Sequence, residues 1–412
     1  MGDFLLRCSE CRLEYAEDPV LLVCPACSGE QETGGSTRGV LEVELARLPD
    51  RWPGHRASDP RFLAEFLPVS GPASFPAFPA GDTPLLPAPR LAARLGLKGL
   101  WIKDDTRNPS GSTKDRASLL VVAKAGEYGF DTIAAASTGN AGTALAAAGA
   151  AAGLDAVVIV PAAAPEAKLV QMLSYGARVV RVDGTYDDAF ELCLAACSEF
   201  GWYNRNTALN PFTIEGKKTS ALEIARALAP QVPDVVVVPV GDGVILAGVA
   251  KGFVDLETAG LIDRAPRLIA VQPEGSAAIA RAWAAGADDA EPVRGARSVA
   301  DSLTVEAPRN ARLCLSNIRE SGGAAVTVSD RAILAAIPCL ASQTGVFAEP
   351  AAAAGLAGLE TALRDGVVEE AESVVLLVTG TGLKDVPAAA GAVVRPDPVE
   401  PTLEGVARRL GL

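Results

Sequence analysis

Val235-Val-Val-Val-Pro-Val-Gly-Asp-Gly-Val-Ile-Leu-Ala-Gly248 is the stretch that decides the fold. Four consecutive valines leave no polar face, so the strand they predict is buried on both sides, as in a parallel sheet covered by helices. Gly241 and Gly243 then break the strand, and a helix is predicted to follow. Such a junction leaves backbone N–H groups bare at the positive end of a helix dipole, which makes a cradle for an anion. It is not a nucleotide loop: no Gly-Lys-Ser/Thr follows, and Leu246 stands where a dinucleotide fingerprint needs glycine. Taken alone, an ordinary tight strand-to-helix turn explains it equally well.

The pattern repeats upstream and downstream. Thr132 to Ala136 predicts a strand, Ser137-Thr-Gly-Asn-Ala-Gly142 a loop, and an alanine-rich helix runs to about Ala152. Strands are predicted at Ala156 to Pro161 and Arg178 to Val182, and helices at Glu166 to Tyr175 and Tyr186 to Phe200. A helix near Gly216 to Ala229 precedes the valine strand. Strands at Leu268 to Gln272 and Val374 to Val378 follow it, the last running into Thr379-Gly-Thr-Gly382. Apolar strands alternating with helices predict an α/β protein with parallel sheets, and all three loops fall at strand carboxyl ends, where open sheets bind ligands.

A fourth junction carries the reactive candidate. In Asn108-Pro-Ser-Gly-Ser-Thr-Lys-Asp-Arg116, Ser112 with Asp115 three residues on predicts a capping box, which places Lys114 in the first turn of a helix. An amine at that end of a dipole has a lowered pKa and is a plausible nucleophile. Ser137, Thr138 and Gly139 suit a carboxylate, Asn140 a phenolate oxygen, and Thr379 a ring nitrogen. Each has an ordinary alternative as a solvated lysine, an N-cap or a turn. Together they match what pyridoxal phosphate requires: an amine, a phosphate site and contacts to O3′ and N1.

Composition narrows the partners. The 412 residues carry 37 basic and 50 acidic side chains, a net charge of -13, which disfavours nucleic-acid or anionic-membrane surfaces. No apolar run reaches the about 18 residues of a membrane span. The acidic N-terminal stretch lacks a signal-peptide core and points to the cytoplasm. The single histidine, His55, lies in a surface-like stretch and leaves Ser-His-Asp chemistry and histidine metal sites without support. Cys8, Cys11, Cys24 and Cys27 form two CxxC pairs that can close a tetrahedral site, so a small zinc ribbon is expected, with iron as an alternative. Cys193, Cys197, Cys314 and Cys339 read as core. Residues 28–37 look like a linker, and residues 49–90, rich in proline and aromatics, are expected to lie over another domain.

Asn108 to Arg116, STGNAG, KLVQMLSYGA, NPFTIEGKKT, PDVVVVPVGDG, GVFAEPA and TGTGLKD, in that order, resemble the threonine synthases, over about residues 81–385. The resemblance implies the second fold type of pyridoxal-phosphate enzymes, akin to the tryptophan synthase β subunit, with two open, twisted, mostly parallel sheets. It implies a cysteine module over 1–33, a large domain over 34–112 and 207–412, and a small domain over 113–206. Lys114 would form the internal aldimine, Asn140 contact O3′, Gly241, Asp242, Gly243, Val244 and Ile245 hold the cofactor phosphate, and Thr379 face the ring nitrogen. Ser137, Thr138 and Gly139 would bind the substrate carboxylate. Arg116, Arg205, Lys217 and Lys218 are candidates for the substrate phosphate, and a homodimer is expected. The implied reaction converts O-phospho-L-homoserine and water to L-threonine and phosphate; a related enzyme acting on O-phosphoserine, a dehydratase or a non-catalytic sensor are the alternatives. Four residues at three places depart from the family pattern: Thr113 replaces an aromatic, Ala141-Gly142 replaces Thr-Ser, and Thr381 replaces a common histidine.

Overall fold

The computed structural model describes residues 3–31, 35–53, 60–164 and 166–412; His55 lies outside them. The valine strand, Val235–Pro239, is central to a six-stranded sheet. Its order is Ala324–Val328, Arg267–Pro273, Val235–Pro239, Ser373–Val378, Gly99–Asp104, Leu85–Pro87. The first five strands run parallel, and Leu85–Pro87 closes the edge antiparallel to Gly99–Asp104. Burial on both sides is literal here. Val235 and Val237 enter a core built with helices Asp330–Thr344 and Pro350–Arg364, while Val236 and Val238 enter one built with Phe212–Leu228, Val244–Thr258 and Ala311–Glu320.

A second, wholly parallel sheet is ordered Arg178–Val182, Asp155–Pro161, Thr132–Ala136, Tyr203–Asn204. Helices Lys114–Glu127, Asn140–Ala152, Glu166–Ser174 and Tyr186–Phe200 belong to it. The α/β class and both sheets are as the sequence predicted. The strands it missed, Leu85–Pro87, Ala324–Val328 and Tyr203–Asn204, are two to five residues long, too short or too partly buried for a clear period. The helix predicted from Gly216 begins at Phe212, where Asn210 Oδ1 accepts the Phe212 N–H at 2.9 Å.

The described parts of residues 49–90 cover the body of the protein. Phe66 is buried in a core of the large sheet, and Phe75 and Phe78 in the core of the small one. At the N-terminus, Glu14–Tyr15, Phe4–Cys8 and Leu41–Leu45 form a three-stranded antiparallel sheet, so the structural unit around the cysteines runs past the linker.

Candidate active site

Lys114 opens its helix at the carboxyl end of the large sheet. The loop before it is stitched to the Thr379 loop: Thr113 N donates to Thr379 O at 2.8 Å, and Thr381 N donates to Gly111 O at 3.0 Å. Gly111 has φ of 86°, and a Cβ there would lie 2.9 Å from Thr381 Cγ2, so only glycine lets the two loops close. The capping box is not formed. Thr113 is the N-cap, and Asp115 instead accepts from Ser110 N at 2.7 Å and Ser110 Oγ at 2.6 Å, because its carboxylate turns back to hold the loop. Burial lowers the Lys114 pKa to about 8, opposed by Glu349 and assisted by Arg205. The amine makes no hydrogen bond or ion pair among the described residues.

On the small sheet, Ser137, Thr138 and Gly139 join Thr132–Ala136 to the Asn140 helix and remain partly open to solvent. Asn140 is buried, and its Nδ2 donates to Glu349 Oε1 at 2.8 Å. One amide proton is thereby used, and Oδ1 is buried with no partner. Glu349 is a residue the sequence reading left without a role. It is buried, its N–H donates to Gly380 O at 3.0 Å, and any side chain at Gly380 would collide with its carboxylate. Burial raises its pKa, partly offset by Lys168 and Lys114.

The glycine turn after the valine strand leads straight into a helix. Gly243 is the left-handed N-cap of Val244–Thr258 with φ of 93°, and a Cβ there would lie 2.7 Å from Cys314 Cβ. Asp242 is held at both ends, its O accepting from Asn310 N at 3.1 Å and its Oδ1 from Arg309 N at 3.1 Å. The buried Asn310 amide has no partner on either atom. Thr379 is buried at the end of Ser373–Val378. Buried polar atoms left bare beside a bare N–H cradle are a poor state for an empty protein interior, and they fit a polar, phosphorylated ring.

The four cations proposed for the substrate phosphate separate into two kinds. Arg116 is excluded from that role: its guanidinium is saturated by Asp105 at 2.7 Å and Glu223 at 2.6 Å, with further bonds to Thr83 and Thr219. Lys218 is likewise committed, 2.6 Å from Glu215 and 2.8 Å from Asp255. Arg205 and Lys217 are equally buried but form no ion pair among the described residues; the carboxylates that act on them, Asp115 on Arg205 and Asp242 on Lys217, do so from beyond contact. Arg205 Nε donates to Ser118 Oγ at 3.2 Å and Nη1 to Thr207 Oγ1 at 2.7 Å, while Nη2 is bare. Lys217 Nζ donates to Thr213 O at 2.9 Å. Burial pushes Arg205 down to about 10 and Lys217 well below its ordinary value, Lys217 further because Arg205 and Lys114 lie nearby. Buried cations without counter-ions favour an anionic ligand.

Two family departures have structural causes. A Cβ at Gly142 would lie 2.7 Å from Met172 Cε and 2.8 Å from Ser137 O, so no side chain fits there. Thr381 accepts from Leu383 N and caps the turn Gly382–Lys384.

Away from the cleft, the sulfurs of Cys8, Cys11, Cys24 and Cys27 lie within 4.8 Å of one another. Cys8 and Cys27 are 3.8 Å apart, and Cys11 and Cys24 3.6 Å. Four thiolates about 2.3 Å from a tetrahedral zinc are about 3.8 Å apart, so the set fits that ion closely.

Comparison with known proteins agrees with this geometry. The family model described as pyridoxal-phosphate dependent enzyme matches residues 77–380. The threonine synthase of Methanosarcina acetivorans is 39% identical over 385 residues, 92% of each chain. That of Methanocaldococcus jannaschii is 35% identical over 400 residues, 96% of each chain. Among solved structures, the processed threonine deaminase isoform 2 of Solanum lycopersicum superposes with a TM-score of 0.66 at 23% identity, covering 84% of this chain and 98% of that one, a likeness of fold. On these matches, this chain belongs to the pyridoxal-phosphate-dependent enzymes, within the threonine synthase family.

Proposed function

We infer that this protein is a threonine synthase, converting O-phospho-L-homoserine and water to L-threonine and phosphate. The observation that carries the reading is a pair of buried cations, Arg205 and Lys217, that form no ion pair among the described residues, lie close enough to Lys114 to act on its charge, and belong to other elements than the Gly241–Ile245 turn. A substrate with a phosphate of its own needs this second anion site. When bound, pyridoxal phosphate supplies an electron-withdrawing ring that acidifies the carbons next to the amino group. Gly241, Asp242, Gly243, Val244 and Ile245 would hold its phosphate through backbone N–H groups. Thr379 would meet the ring nitrogen, and the second amide proton of Asn140 would meet O3′.

Lys114 is the attachment residue. Its depressed pKa leaves part of the amine unprotonated near neutrality, so it can take the Cα proton and return protons to neighbouring carbons. Ser137, Thr138 and Gly139 would bind the substrate carboxylate. Arg205 and Lys217 would hold the substrate phosphate as its bond to Cγ breaks, and water then adds at Cβ. Zinc in the four thiolates would be structural, since a closed set leaves no open position. The remaining proposals are a small domain over 113–206, a large domain made of the flanking segments, a cytoplasmic site and a homodimer. No described helix is long and apolar enough to cross a membrane. The test is steady turnover of purified protein with each substrate. Equimolar phosphate and threonine from phosphohomoserine, and no phosphate from phosphoserine, supports the reading; release from phosphoserine alone overturns it.

A further inference from the structure

We propose that the cysteine module is a working wall of the active site: through Val40 it holds the phosphate cradle in shape, so closure of the four thiolates around a metal sets how fast the cofactor escapes. The proposal rests on the cofactor reading above.

Val40 is buried, and its side chain completes a cluster with Ala208, Ile214, Val244, Ala247 and Leu313. Val244 and Ala247 are in the first turn of the helix that follows Gly243. Ile214 lies three residues before Lys217 on the neighbouring helix. The valine thus packs in the cluster beneath both anion sites.

The backbone of this same residue is tied to both cysteine knuckles. Ser9, between Cys8 and Cys11, donates its N–H to Val40 O at 2.9 Å. Val23, next to Cys24, forms an antiparallel bridge with Val40, and Cys24 N donates to Gly39 O at 2.8 Å. Gly39 is forced to be glycine, with φ of 70° and a position where a Cβ would lie 2.8 Å from Cys24 Cβ and 3.0 Å from Cys27 Cβ. A second tie runs in parallel: Thr37 N donates to Arg309 O at 2.8 Å, and Arg309 N donates to Asp242 of the cradle. Without a metal, these backbone bonds and the packing of Phe4, Leu6, Leu41 and Val43 onto the core of the small sheet remain, but the four sulfurs no longer clamp the two knuckles to each other. Loosening it withdraws a packed side chain from under the cradle, where close packing transmits small displacements.

The test uses full-length protein loaded with cofactor. Bound metal is removed with a mercurial thiol reagent and counted with a chromogenic chelator, and cofactor release is followed by its visible absorbance while circular dichroism reports the fold. Metal removal and Val40→Ala are each expected to speed release roughly tenfold or more. Val40→Ile should restore slow release, and Val326→Ala, a matching deletion in the far edge strand, should leave it unchanged. Val40→Thr, isosteric but polar, serves as the second variant if alanine leaves no folded protein. Release as slow as in the unaltered holoenzyme, from folded Val40 variants and from folded metal-stripped protein, overturns the proposal. If the unaltered protein binds no cofactor at all, the parent reading fails instead.

Discussion

Lys217 and Lys218 are neighbours on one helix, both buried, and the structure gives them opposite fates on substitution. Lys218 sits between Glu215 and Asp255 at 2.6 and 2.8 Å. Lys218→Met strands those carboxylates in the interior, and removing one partner of a buried pair costs about 3–5 kcal/mol. Lys251, 3.1 Å from Asp255 and 3.4 Å from Glu215, remains to share the charge, which places the expected loss near the lower end. Lys217→Met breaks no ion pair. It removes an amine whose charged form burial disfavours, so the protein without ligands should be as stable as before or slightly more so. What it loses is a charged contact to the substrate phosphate, worth about 1.5–3 kcal/mol, or about 10- to 150-fold in kcat/KM. Urea unfolding and steady-state phosphate release on both variants decide the matter. A stable Lys218→Met together with an unchanged kcat/KM in Lys217→Met would refute the assignment of the two lysines.

Further outcomes follow from other contacts. Arg116→Lys loses the fork that joins Asp105 and Glu223, and should destabilise by about 3 kcal/mol while KM in the surviving folded enzyme stays unchanged; a rise in KM alone would restore Arg116 to the substrate site. The Lys114 amine titrates at about 8 when folded against 10.5 ordinarily. Between those pH values the unfolded chain binds the extra proton, so the stability of cofactor-free protein should rise with pH across this window, by about 3 kcal/mol at most and less with solvent screening. Lys114→Met should flatten that rise in parallel unfolding curves. Gly380→Ala drives a methyl group into Glu349, which holds the Asn140 amide, and should weaken equilibrium cofactor binding about tenfold or more, read by titrating the visible band.

The fold was legible because its signals are local. Val235 to Gly243 carries a two-faced strand, a break and a left-handed cap within nine residues, and the other loops likewise break an apolar strand with glycine, though without a left-handed cap. The position of Lys114 in the first turn of a helix was legible from the break at Asn108–Gly111 and the expected cap, although the cap itself is not formed. Most partners of the cations were not, because they are distant in sequence: Glu223 lies 107 residues beyond Arg116, and Asp255 37 beyond Lys218; Glu215, three residues before Lys218, is near enough to have been read as its partner. Charge and spacing cannot tell Arg116 from Arg205, or Lys218 from Lys217, before the chain has brought their partners in. Ser112 and Asp115 had the spacing of a capping box, but Asp115 found closer donors in Ser110. Glu349 stood inside a recognised motif without a role because its function depends on Asn140, 209 residues earlier. The third strand of the cysteine module, Leu41–Leu45, lay beyond the linker and was assigned to the next domain.

The central claim is that Lys114 carries the cofactor. Borohydride reduction of cofactor-replete protein, followed by peptide mass spectrometry, tests it directly. The account predicts one pyridoxyl group on Lys114 and none on Lys384, whose buried amine is also lowered to about 8 but is engaged by Thr143 and Gln171. A pyridoxyl group on Lys384 or Lys217, or on no lysine at all, would contradict it.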